Sequence, residues 1–289
     1  MKKTILCASI LAGLLLTGCG SKSEWNILKQ MPAPDGGASF FVGFHDQDCA
    51  ISVGEHGLIS ATSDGGANWI KGENSSLCRF CLDIVDPQIA WCGGNGNHVR
   101  ITRDGGKTWQ AVTDCKLGLV HRSIDFIDDM NGWVGNEFYI ASTNDGGNTW
   151  KEMKLPKLNG KILSFSILSS AEGYVVTKGG DLIYTNDGGN TWTVQPIAEL
   201  VSASDGGDLI TCDFNFYDKN RGELVASIVN EGGTDILFFF TEDGGATWNQ
   251  TAIDYPKTEV ASEAYFSSNG KYITLTSIKK DMTVYKRKE

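Results

Sequence analysis

Apolar residues in this chain come in short runs, and one stretch shows the unit clearly. Positions 80–85, 90–93, 98–102 and 108–112 are each rich in aliphatic or aromatic residues, and glycine, asparagine and aspartate lie between them. Runs of this length bounded by turn residues predict strands. Alternation within each run is imperfect, as expected where both faces of a sheet are covered. The same unit recurs. The first copy spans about 39–71, the third is anchored by 124–127, 132–134 and 139–143, and the fourth by 162–167, 174–177 and 182–185. A fifth uses 209–216, 223–229 and 235–241, and a sixth 264–267, 272–276 and 283–286.

An octad punctuates five of these units. It reads Thr-x-Asp-Gly-Gly-x-Thr-Trp from Thr102 to Trp109, from Thr143 to Trp150, from Thr185 to Trp192 and from Thr241 to Trp248. The copy from Thr62 to Trp69 has Asn68 at the second threonine position. Asp64, Asp104, Asp145, Asp187 and Asp243 are 40, 41, 42 and then 56 residues apart. A short carboxylate accepts backbone N–H bonds across a turn, and the glycines permit positive φ. The threonine hydroxyls close further local bonds. Trp69, Trp109, Trp150, Trp192 and Trp248 then open the next strand and offer large apolar surfaces to a neighbouring sheet. Each turn supplies one carboxylate where a calcium site needs several oxygens, so the octads predict hairpin staples and no metal site. No cofactor is implied.

The octad resembles the Asp-box, or BNR repeat, shared by sialidase-like propellers, sortilin-type propellers, xyloglucanases and assembly-factor propellers of the Ycf48 and HCF136 kind. The resemblance runs from about Ser39 to the C-terminus. It implies a β-propeller whose octads lie on the turn between third and fourth strands, away from the usual binding face. Enzymes and non-enzymes share the motif, so it implies no activity.

The expected fold is therefore all-β: a single propeller of six four-stranded blades over 24–289. The long step before Asp243 leaves 202–207, Ser-Ala-Ser-Asp-Gly-Gly, as a possible degenerate blade. Two blades would need a step of about 80 residues. Seven blades are the alternative. The last unit has three strands and no octad, whereas Trp25 stands alone far upstream, followed by Asn26-Ile27-Leu28. An N-terminal strand beginning at Trp25 is expected to complete the last blade and hide both edges. Residues Met31-Pro32-Ala33-Pro34 read as a turn.

Upstream, Lys2 and Lys3 precede an apolar run over 4–16 that is too short to span a bilayer. It ends at Leu16-Thr17-Gly18-Cys19, which resembles a bacterial lipobox. That resemblance implies a signal peptide over 1–18, lipid on Cys19 and a tether over 19–23. Gly20, where aspartate would favour inner-membrane retention, points to an outer-membrane lipoprotein facing the periplasm, with surface exposure as the alternative. The formal charge of −10 becomes more negative once the leader's two lysines are lost, and an acidic chain repels nucleic acid. The expected partners are the membrane, through Cys19, and a protein or glycan ligand of a monomeric protein. Beyond Cys7 and Cys19, the cysteines are Cys49, Cys78, Cys81, Cys92, Cys115 and Cys212. Export permits disulfides, and six cysteines allow 15 pairings. Cys78 and Cys81 have redox spacing but fall between blades, not ahead of a helix, so structural or free thiols are expected.

Sialidase chemistry needs an arginine cluster, a Tyr–Glu nucleophilic pair and an acid. The chain has no arginine between Cys19 and Arg79, and no residue carries over as catalytic. The expected function is a non-catalytic binding or assembly scaffold of the cell envelope, with a sialidase-like glycoside hydrolase as the alternative. Arg79, Arg122 and Lys161 precede the next octad aspartate by 25, 23 and 26 residues. Each therefore falls just before an inner strand, on the face opposite the octads. His56 and His98 occupy corresponding loops in the first two blades, with Glu55 and Glu137 nearby. These seven residues are the candidate ligand site.

Overall fold

A computed structural model describes residues 25–34, 39–72, 79–96, 98–112, 120–197, 208–230, 233–251, 264–268, 271–277 and 281–288. The leader, Cys19, the tether, Cys78, Cys115 and the 202–207 stretch lie outside the described residues, as does the side chain of Cys212. Strand β1 is Trp25–Pro32. Blade 1 contains β2 (Ser39–Phe44), β3 (Ala50–Gly54), β4 (Ile59–Thr62) and β5 (Ile70–Lys71). Blade 2 contains β6 (Arg79–Ile84), β7 (Ala90–Gly94), β8 (Val99–Thr102) and β9 (Gln110–Ala111). Blade 3 contains β10 (Ser123–Phe126), β11 (Gly132–Gly135), β12 (Ile140–Thr143) and β13 (Lys151–Glu152). Blade 4 contains β14 (Ile162–Ile167), β15 (Gly173–Thr177), β16 (Asp181–Thr185) and β17 (Thr193–Pro196). Blade 5 contains β18 (Asp208–Phe216), β19 (Gly222–Asn230), β20 (Gly233–Thr241) and β21 (Asn249–Thr251).

The sixth sheet has the order β1-β24-β23-β22, from β22 (Ala264–Ser268), β23 (Tyr272–Ser277) and β24 (Asp281–Arg287). All six sheets are antiparallel and four-stranded, and the first five are meanders of consecutive strands. The innermost strands β2, β6, β10, β14, β18 and β22 contact one another in turn, and β22 returns to β2. The fold is a six-bladed propeller.

The core is divided among the six junctions between blades. Trp91, Val99 and Ile101 of blade 2 pack on Ile124, Phe126 and Val134 of blade 3. Ala90 and Cys92, one step away in β7, pack instead on Ile51, Val53 and Ile59 of blade 1. Both faces of each blade are thus buried, which explains the weak polar alternation in the sequence. Aromatic rings from a second strand meet the next blade's innermost strand. Trp91 stacks on Phe126 with ring centroids 3.8 Å apart, and Tyr174 on Phe216 at 3.7 Å. Such stacking adds specificity to the area buried.

The octad turns are built as their composition dictates. Thr102 Oγ1 donates to Asp104 Oδ1 at 2.8 Å and accepts the Gly106 N–H at 2.9 Å. Asp104 also accepts the Thr108 N–H and hydroxyl, at 2.9 and 2.6 Å. The other threonine-bearing copies repeat this arrangement, and Asn68 replaces the hydroxyl with its side-chain amide. Gly105 and Gly106 have φ of +72° and +88°. A Cβ on Gly106 would lie 2.9 Å from Ala61 Cβ of the preceding blade, so that position is constrained by packing as well as conformation. The Gly105 N–H donates to Gln88 O at 3.0 Å, tying the octad to the turn between the blade's first two strands. That turn carries a second periodic cap. Asp46, Asp86, Asp128, Ser169 and Asp218 each accept N–H groups two and three residues ahead.

Closure uses β1. Trp25 is 6% exposed and packs with Tyr285, Ile273 and Phe238. The strand pairs with β24 from Trp25↔Arg287 to Pro32↔Asp281. It therefore runs through Pro32, where the sequence suggested a turn. Proline is tolerated because β1 is the outermost strand and the missing donor removes no ladder bond. Lys29 Nζ donates to Gly65 O at 2.7 Å and Gln47 O at 3.1 Å, fixing the strand to blade 1. On the other side, Arg287 pairs with Glu223 of blade 5, which accepts the Tyr217 hydroxyl.

Replacing Trp25 by alanine should cost about 3–5 kcal/mol in equilibrium unfolding, the range for truncating a buried aromatic. A melting transition equal to wild type would refute this role. The octads also predict an acid limit. Asn68 donors hold the Asp64 carboxyl down to about 2, and Thr191 donors do the same for Asp187. Their folded pKa is depressed, so their contribution is present above the unfolded value and is lost as pH falls. Fluorescence-monitored acid unfolding of Asp64→Asn and Asp187→Asn should show a weaker loss of stability between about pH 4 and about pH 2 than wild type.

Candidate functional site

The register fixes which end of each blade carries the candidate residues. Arg79 at the start of β6 lies opposite Gly94 at the end of β7. The starts of the innermost strands and the turns between second and third strands therefore share one face. The octads occupy the other.

Blades 2, 3 and 4 bring a group of these residues together. Tyr139 N–H and Phe138 N–H both donate to Asn136 Oδ1, forming a tight turn between β11 and β12. Phe138 projects from its tip and is 68% exposed. Lys161 Nζ, from the connection into blade 4, lies 2.6 Å from Glu137 Oε2 and 5.5 Å from the Phe138 ring centroid. The Ile162 N–H donates to Glu137 O at 2.9 Å and holds that connection against the turn. Arg122, also exposed, stands over the Phe80 ring at 5.2 Å. Beneath them His121 is buried, with Nδ1 3.4 Å from the Tyr139 hydroxyl. Two aromatic rings each carry a cation within reach of cation–π attraction.

The remaining candidates are placed differently. Arg79 is 1% exposed, so it is no rim cation, although it shares its sequence offset with Arg122 and Lys161. Its guanidinium and that of Arg100 work on the Cys92 thiol, which burial nevertheless pushes up to about 12. Glu55 and His56 are exposed in a short 3-10 turn over Glu55–Gly57, where His56 has φ +54°. They belong to blade 1, whereas the group above is built by blades 2, 3 and 4. His98 is half-buried at the start of blade 2's third strand. Phe138, Phe80 and Tyr139 were not singled out from the sequence. The legible signal was an aromatic pair inside a turn that is polar in the first two blades.

Reactive groups elsewhere serve other ends. Cys49, Cys81 and Cys92 are free thiols. Burial raises the Cys81 thiol, and its Sγ lies 3.7 Å from His121 O, so it is no ready nucleophile. A Tyr–Glu–Arg group does exist, as Tyr217, Glu223 and Arg287, but Arg287 also lies over the Trp25 ring at 5.5 Å and the group locks the ring closure. Among the described residues no cluster of His, Cys, Asp and Glu is suited to hold a metal ion.

Comparison with known proteins places the chain. No curated protein matches it. The structure of YCF48 bound to D1 peptide aligns over 92% of this chain and 98% of its own, with 16% identity and a TM-score of 0.58. YCF48 from Cyanidioschyzon merolae aligns over 91% and 98%, with 16% identity and a TM-score of 0.56. Virginiamycin B lyase from Staphylococcus aureus aligns over 91% and 99%, with 11% identity and a TM-score of 0.63, so the fold alone is common to an enzyme and to YCF48. Residues 112–277, more than half of the 289-residue chain, match the family model described as photosynthesis system II assembly factor YCF48, and the chain belongs to that family.

Proposed function

We propose that this protein is a non-catalytic protein-binding scaffold of the cell envelope, anchored through lipid on Cys19 and facing the periplasm from the outer membrane. The observation that carries the binding reading is the Phe138 tip, with Lys161 and Glu137 beside it and the Arg122–Phe80 pair on the adjoining blade. Aromatic residues, phenylalanine included, are enriched at the cores of protein interfaces, where a few of them carry much of the binding energy. The cations are a local exception on an acidic chain and suit a peptide segment bearing carboxylates. Membership of a family described as an assembly factor supports a polypeptide partner, as does the D1 peptide bound to one YCF48. A carboxylate-bearing glycan is the second ligand class that these cations suit. The Leu16-Thr17-Gly18-Cys19 tetrapeptide motivates the anchor.

Photocrosslinking from position 138, in cells, should capture a defined partner. Phe138→Ala and Lys161→Ala should each weaken its binding at least about tenfold with unchanged melting curves. Full affinity in the Phe138→Ala, Arg122→Ala, Lys161→Ala triple variant would remove the site, and binding to an acidic glycan array in place of a protein would change the ligand class. Separately, Cys19→Ala should abolish fatty-acid labelling and release the protein from the membrane fraction. Label retained in that variant would refute the anchor.

A further inference from the structure

The innermost strand of each blade has one free edge facing the ring axis, and its outward N–H groups need acceptors. In blade 3 the Ile127 N–H pairs with Asn131 O, so the Phe126 N–H points the other way, toward the axis. Asp83 of blade 2 accepts it, through Oδ2 at 2.8 Å. The next junction repeats the device, with Asp125 Oδ2 accepting the Ile167 N–H at 2.6 Å. At the third, Ser166 Oγ accepts the Phe216 N–H at 2.9 Å and lies 3.1 Å from Asn215 Oδ1. Asp83, Asp125, Ser166 and Asn215 all stand one residue before the end of an innermost strand, and Gly43 holds that place in blade 1. Together they form an inner seam that stitches blade 2 to blade 5.

Two of the seam's acceptors are ionisable carboxyls on neighbouring strands. We propose that Asp83 and Asp125 form a proton-binding site at the ring axis, so that the seam is tight while the pair retains a proton and loosens as both ionise.

Both side chains are half-buried beside the axis, and their surroundings favour the proton. Desolvation drives the Asp83 carboxyl up to about 7, against the N–H bonds from Phe126 and Ile84. Asp125 is held well above the usual carboxylate range by desolvation, by the charge on Asp83 and by Asp213 of β18, against the Ile167 and Ser166 bonds. The groups facing the pair are thus an acid from β18 and a hydroxyl from β14, while β2 presents Gly43 at this level. Arg79 is the one cation within the innermost strands, and it stands at the opposite end of β6. Two carboxylates without an adjacent cation cannot both ionise cheaply, so one proton stays with the pair. Because the folded pKa is raised, the stability from the protonated pair is full below the unfolded value, near 3.8, and is lost as pH rises through about 7.

The test is a pair of measurements on the full-length protein. The melting midpoint of wild type should fall as pH rises from about 4 to about 7, and the Asp83→Asn, Asp125→Asn double variant should show a flatter profile over that range. Asparagine keeps an oxygen for the N–H donor and cannot ionise. Infrared spectra of wild type, with isotope-labelled aspartate, should also show a protonated-carboxyl band near pH 6 that weakens as pH rises through about 7. Identical slopes in wild type and variant would overturn the proposal. If the variant fails to fold, absence of the protonated-carboxyl band in wild type near pH 6 would overturn it alone.

Discussion

The ring depends on one pairing, between β1 and β24. Five blades are made from consecutive strands, so their outer edges form as each hairpin closes. The sixth has three strands from the C-terminal end and needs the N-terminal strand to finish it. Chain ends are thereby joined through backbone hydrogen bonds, and a circle of inter-blade cores can form without a gap. Closure also engages both neighbours. Lys29 reaches the turns of blade 1, while Arg287 reaches Glu223 of blade 5. Loss of this strand would expose Trp25's cluster and an edge of β24 together.

Around that circle the blades use a division of labour. Octad carboxylates and threonines satisfy the backbone of the outer turns by local bonds alone. Radial packing comes from aromatic and aliphatic side chains alternating between two neighbours. The axis is served by side-chain acceptors from the preceding blade, since no further strand can pair there. The acid-sensitive carboxylates of the rim and the proton-retaining carboxyls of the axis differ by environment. Exposed octad aspartates meet several donors, whereas the half-buried axial ones feel one another's charge.

The face opposite the octads is left free to vary because the octads and their partner turns hold the blades at the other end. Blade 3 uses that freedom to raise an aromatic side chain into solvent, and blade 4 supplies the adjacent ammonium. This is the surface proposed above to bind a polypeptide, a role that requires no apposed reacting groups. This agrees with a family described as an assembly factor. A common propeller fold says little of activity, since virginiamycin B lyase shares it at 11% identity.

Much of the architecture was legible in the residues. The octad period set the unit, because each turn is stabilised by residues within eight positions of one another. The solitary Trp25 marked the closing strand, because the octads had already shown tryptophan at the start of fourth strands. The count of six followed from these two signals. Tertiary structure decided the rest. Arg79, Arg122 and Lys161 share a sequence offset, yet the first is enclosed while the other two stand in solvent. Offset fixes a position along a blade, but the neighbouring blade determines what covers it. Pro32 extends a strand for the same reason, since only assembly shows that its blocked edge faces outward. Asp83 and Asp125 read as unremarkable strand residues, because the N–H groups that they satisfy lie more than 40 residues ahead, on the next blade's free edge.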